Sequence, residues 1–112
     1  MDQSRDSLDA LAEEVFELDG LLDYQDGAIV SRTLIDKEAA TVTLFAFDSG
    51  QRLSEHTAPH DALVQVLDGT VTVTIGDGEH RLTAGESVIF PADVPHSVAA
   101  ETPMRMLLTM VR

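Results

Sequence analysis

The side chains best able to do chemistry are four histidines, His56, His60, His80 and His96. A neutral imidazole is the commonest metal ligand in proteins, and it also moves protons near neutral pH. Three of the four lie in two stretches punctuated by Gly and Pro: GQRLSEHTAPHDALVQVLDG (50–69) and GESVIFPADVPH (85–96). His56 and His60 are four residues apart, but Pro59 lies between them, so they are not a helical pair. His96 follows PADVP, whose two prolines fix a turn that aims the next residue. For His56 and His96 to meet, their strands must face one another across a barrel. Three histidines with open positions would suit Zn, Fe, Mn, Ni or Cu. His80, beside a GDG turn, is expected at the surface. No cysteine is present, which excludes disulfides, thiolate metal sites and a Cys nucleophile. No nucleophile elbow or phosphate-cradling glycine loop is found, and no catalytic residue is assigned.

Short strands must carry these residues. Ala28–Ile35, Thr41–Phe47, Gln51–Glu55, Ala62–Leu67, Thr70–Ile75, Glu79–Thr83, Ser87–Phe90, His96–Ala100 and Met104–Val111 are rich in strand formers, with turn residues between them. Asp68-Gly69 and Gly76-Asp77-Gly78 are expected to close hairpins. This pattern predicts an all-β sandwich or barrel. Met104, Met106 and Met110 share one parity on the last strand and are read as core filling, with Met106 also a candidate for a pocket wall. Gln65, polar within an apolar strand, is a candidate for a pocket or an interface. Ahead of the strands, Leu8, Leu11, Ala12, Val15 and Phe16 recur at helical spacing. They predict a short amphipathic helix over Asp6–Leu18, capped by Asp6 or Ser7 and ended at Gly20. Residues 1–27 are therefore read as helix and connector, and 28–112 as the β domain.

The 112 residues include twenty acids and seven bases, for a formal net charge of −13. Such a surface repels phosphate backbones and anionic lipid, which argues against nucleic-acid and membrane partners. The acids are scattered and lysine is nearly absent, a pattern that looks like adaptation to high salt, where self-repulsion is screened. No apolar run or leader pattern points away from the cytosol.

With these residues in place, the chain resembles a small single-domain cupin of the cupin-2 type, over about residues 28–111. The family's first motif is Gly, five residues, His-x-His, three or four residues, Glu, six residues, Gly. Gly50, His56 and Gly69 match it, while Ala58 and Ala62 stand at the second histidine and the glutamate. In the second motif Gly85, Pro91 and His96 match, Asp93 replaces a glycine and Ala100 an asparagine. The resemblance implies a cupin-type β-barrel (a jelly roll, or double-stranded β-helix) with a short N-terminal helix. It implies a divalent metal held by His56 and His96, with His60 as substitute third ligand. It also implies a small organic ligand and a dioxygenase- or isomerase-like activity. Asp61 neighbours the lost glutamate, but adjacent strand residues face opposite ways. The alternative is a metal-free ligand-binding or sensor module with a degenerate site. A homodimer is expected, with the first strands and the helix covering an open sheet edge.

Overall fold

The computed structural model describes residues 6–112. Nine strands form two sheets that are packed face to face and not closed into one barrel: β1 (Ile29–Asp36), β2 (Ala40–Phe47), β3 (Arg52–His56), β4 (Asp61–Asp68), β5 (Thr70–Ile75), β6 (Gly78–Thr83), β7 (Ser87–Phe90), β8 (His96–Ala100) and β9 (Met104–Val111). The five-stranded sheet has the order β1-β2-β9-β4-β7, and the four-stranded sheet has the order β3-β8-β5-β6. All the paired strands are antiparallel. This is a jelly-roll sandwich, and each strand lies within a residue or so of its predicted span.

Alternation decides what lies inside. On β4, Ala62, Val64 and Val66 are buried and Asp61 and Leu63 are exposed. On β5, Val71 and Val73 are buried between half-exposed threonines. With Phe47, Leu82, Phe90, Val98, Ala100, Met104 and Met106 they form one core between the sheets. Each of its valine, leucine, methionine and phenylalanine side chains contributes about 1.5–3 kcal/mol on leaving water. Met106 is fully buried in that core.

Asp68-Gly69 does not close a hairpin. β4 and β5 belong to different sheets, and Gly69 turns the corner between them. It adopts φ +80°, and a Cβ there would collide with the Pro103 carbonyl oxygen and with Met104. Asp68-Gly69 does turn the chain, but β4 pairs with β9 and β7 while β5 pairs with β6 and β8.

The N-terminal helix is also much shorter than predicted. Only Leu8–Leu11 is α-helical, and Leu18–Leu21 forms a 3-10 turn. The chain leaves the helix at Ala12, which is extended (ψ 135°), and Glu13 then takes φ +65°. Asp6 does accept the Leu8 N–H (3.2 Å), as a cap would. The segment instead runs as a strap over the outer face of the five-stranded sheet, pinned at both ends. At one end Ser7 N–H donates to the Thr33 carbonyl, Arg32 Nε donates to Ser7 Oγ, and Asp36 N–H donates to Asp6. At the other, Arg105 Nε donates to the Leu22 carbonyl and stacks 4.1 Å from the Tyr24 ring centroid. Tyr24 OH donates to Asp68 (2.5 Å), which also pairs with Arg105 (3.1 Å). Burial, then this hydrogen bond, pushes the Tyr24 phenol up to about 12. An isolated helix of this length is marginal, so these anchors override its local periodicity. Beneath the strap Leu34, Leu44 and Ala46 are buried on the outer side of the sheet.

Gly69→Ala must strain the backbone and displace the Pro103–Met104 chain. It is expected to cost more than about 2 kcal/mol, read as a lowered denaturation midpoint with the slope unchanged. A midpoint within error of the parent would show that the corner is not a constraint.

Candidate functional site: a facing histidine pair

His56 ends β3 and His96 begins β8, and the two residues are directly paired across neighbouring strands. They meet within one sheet, and not across a barrel as the sequence reading required. A register irregularity between Leu53 and His56 allows this. His96 has the parity of Val98 and Ala100, so its ring points between the sheets and is 7% exposed. His56 is exposed. Phe90, the last residue of β7, stacks on the His96 ring (4.4 Å between centroids, 22° between planes). The site thus sits where several strands end, at one end of the sandwich.

The two Nε2 atoms are 3.1 Å apart. On the far side of each ring, Nδ1 meets a backbone carbonyl two residues back: Ser54 for His56 (2.9 Å) and Val94 for His96 (3.1 Å). A carbonyl can only accept, so each Nδ1 carries the hydrogen and donates it. In the neutral state both Nε2 atoms therefore present lone pairs to each other. Such an arrangement calls for a cation between them or beside them, either a shared proton or a metal ion.

His96 has its pKa pushed below the ordinary histidine value. Burial is the main cause, repulsion from a charged His56 adds to it, and the hydrogen bond to Val94 works the other way.

His60 does not join the pair. It lies half-buried in the bend between β3 and β4. Among the described residues no group of three or more His, Cys, Asp or Glu side chains is placed to hold a metal. Ala62, at the family's glutamate position, faces inward against Phe90 and Met110. Asp61 points the other way, and its carboxylate accepts the Ala92 N–H (2.7 Å). With Asp93 N–H donating to the Ala58 carbonyl (2.8 Å), it ties the loop after β3 to the loop that aims His96. Asp93 takes φ +64°, the conformation for which the family motif supplies a glycine.

Gln65 lies on the outer face of the five-stranded sheet, paired with Ser87 and Leu107, so it does not reach the histidines. His80 is exposed, but its cross-strand partner is the core residue Val73, which puts it on the inner face of its sheet. Phe90 is the site residue the sequence reading missed. Its only signal was parity with Val88 and Ala62-facing register, which strand order alone supplies. A concavity of about 520 Å³ lined by Arg52, Ser54, Thr74 and Ser97 lies on the outer face of the four-stranded sheet, away from the pair.

The model of the Cupin domain family matches residues 43–111, and the chain belongs to that family. Among solved structures, a conserved protein of unknown function from Streptococcus pyogenes is 31% identical, with 89% of this chain and 88% of that one covered and a TM-score of 0.85. A cupin 2 conserved barrel domain protein from Leptotrichia buccalis is 41% identical at a TM-score of 0.83; 87% of this chain covers 47% of that longer one. A cupin superfamily protein from Desulfitobacterium hafniense, 24% identical, matches over 88% of this chain and 91% of its own at a TM-score of 0.84, which bears on the fold alone. No curated protein matches the chain. No helix among the described residues is long and apolar enough to cross a membrane.

The depressed His96 pKa sets a pH dependence in metal-free protein. The unfolded chain binds this proton more readily than the folded one. The stabilising difference is thus complete above the ordinary value of 6.5 and is lost as pH falls from there toward the lower folded value. In EDTA-treated protein, the His96 ring carbons followed by NMR are expected to titrate below 6.5. His56→Ala, which removes the repulsion, is expected to move that midpoint upward. A His96 midpoint at or above 6.5 in the parent would contradict the burial argument.

Proposed function

We propose that this cupin holds one divalent transition metal between His56 and His96, and through it binds a small organic ligand at the end of the sandwich. The observation that carries the reading is the facing pair of Nε2 lone pairs, with both tautomers fixed from behind by backbone carbonyls. Such outer partners orient metal-ligating imidazoles and raise their basicity. The donor set present fits a two-histidine site and does not fit the family's set of three histidines and one glutamate, since Ala58 and Ala62 offer no donor. Imidazoles without a carboxylate suit Zn, Cu, Ni or Fe better than Mn. When bound, the metal would supply a Lewis acid for an oxygen of the ligand. The chain's own part is to hold His96 neutral by burial, to fix its plane against Phe90, and to leave His56 open to solvent. The enzymatic form of this reading is a dioxygenase- or isomerase-like activity on a small molecule.

One observation favours a second reading. Among the described residues only two donors converge, so the pair can equally hold a proton, with the exposed His56 meeting an anionic ligand directly and no metal involved.

Metal content of untagged protein, equilibrated with each metal and then desalted, separates the two. About one equivalent per chain is expected in the parent, with loss in both His56→Ala and His96→Ala. His60→Ala is expected to retain it, because His60 stands apart from the pair. Background metal in the parent with all five metals would sink the metal reading and leave the proton-sharing one.

A further inference from the structure

The strap and the sheet beneath it do not close on one another. Thr33 pairs with Thr43 and Ile35 with Val42, so β1 carries one extra residue at Leu34. That bulge lets two successive side chains, Leu34 and Ile35, face the strap beside Val42. Leu11, Ala12 and Phe16 of the strap form the opposite wall. Between the walls is a hollow of about 300 Å³, lined by apolar residues alone. Leu34 at its floor is 6% exposed, whereas Ile35 is 36% and Phe16 41% exposed, so the hollow opens to solvent beside those two. Its size is at the low end of small-molecule pockets, which span roughly 300–1,000 Å³. It holds one short chain or one ring, and its apolar walls give water nothing to bond to.

The mouth carries charge of one sign. Glu13 and Glu14 follow Ala12 in the chain, Glu17 follows Phe16, and all three are exposed. None of them forms an ion pair with a described residue. The arginines at the two ends of the strap are already engaged, Arg32 with Ser7 and the Leu21 carbonyl, and Arg105 with Asp68 and the Leu22 carbonyl. The field of a chain with a formal charge of −13 acts in the same direction. Val15 and Phe16 make no backbone hydrogen bond among the described residues, so the middle of the strap can part from the sheet while its ends stay pinned.

We propose that the hollow under the strap binds a small amphipathic cation, an amine or quaternary ammonium compound, with its apolar tail between strap and sheet and its charged head among Glu13, Glu14 and Glu17. The apolar walls supply the affinity, and the carboxylates select the sign of the charge. An anion with the same tail gains the same burial and meets repulsion at the mouth. The site lies on the outer face of the sheet, whereas His96 points between the sheets, so binding here is separate from whatever the histidine pair holds.

The test is isothermal titration calorimetry of the full chain with octyltrimethylammonium, octyl sulfate and tetramethylammonium, below micelle-forming concentrations, in 50 mM and 1 M NaCl. Octyltrimethylammonium is expected to saturate at one equivalent with a negative heat-capacity change, the mark of apolar burial. At low salt it is expected to bind about tenfold tighter than octyl sulfate, the scale set by three exposed charge pairs, and the gap is expected to narrow in 1 M NaCl as the screening length falls to about 3 Å. Tetramethylammonium has the head without the tail and is expected not to saturate. Ala12→Phe fills the hollow from an exposed position and is expected to abolish binding. The Glu13→Gln, Glu14→Gln, Glu17→Gln triple variant is expected to bring the two amphiphiles within about threefold of each other. Circular dichroism confirms that both variants fold. A parent that does not bind octyltrimethylammonium saturably overturns the proposal. So does octyl sulfate binding as tightly at low salt, or cation binding that Ala12→Phe leaves intact.

Discussion

Burial of alternate side chains between two sheets is the constraint from which the rest of this structure follows. Val64, Val66, Val71, Val73 and Val98 have no exposure worth the name, and each fixes the facing of its strand neighbours. A slip of one residue on β8 would carry Val98 and Ala100 to the solvent side, so the register is held firmly. His96 inherits its position from that register. Its ring points inward because Val98 must, and it reaches His56 because β3 pairs with β8. The site is thus placed by the apolar core, whose Phe90 also stacks on the His96 ring.

Given that placement, backbone carbonyls decide the chemistry. Ser54 and Val94 take the Nδ1 hydrogens, leaving both Nε2 atoms as acceptors aimed at one point. The loops that supply this geometry are joined by Asp61 to Ala92 and by Asp93 to Ala58. Asp61 is thus a brace for the loops and not a ligand. Asp93 keeps the left-handed turn for which the family motif supplies a glycine, while Ala58 and Ala62 stand where the motif's second histidine and glutamate would be and offer no donor.

The outer surface obeys a different balance. Four arginines, Arg32, Arg81, Arg105 and Arg112, are engaged with carboxylates, hydroxyls or carbonyls. Arg105, Asp68 and Tyr24 fasten the strap at its C-terminal end, and Ser7 and Asp6 fasten it at the other. Between those anchors Leu8, Leu11, Phe16 and Leu18 line an apolar hollow with Leu34, Ile35, Val42 and Leu107 of the sheet.

The sequence by itself determined the strands, because a period of two in TVTVTI and MRMLLTMV reports which face is buried, and Gly and Asp report where the chain turns. Nine strands and the family follow from those local signals, as do His56 and His96 as the residues to watch. Tertiary structure alone decided three things. Whether Asp68-Gly69 joins partners or turns a corner depends on which distant strands pair, and the corner is enforced by Pro103. Helical periodicity from Leu8 to Phe16 is a local preference worth little against anchors to Thr33, Arg32 and Arg105 that lie far along the chain. And His60, four residues from His56, stands apart from the site while His96, forty residues away, completes it, because cross-strand register and not sequence distance sets which imidazoles meet.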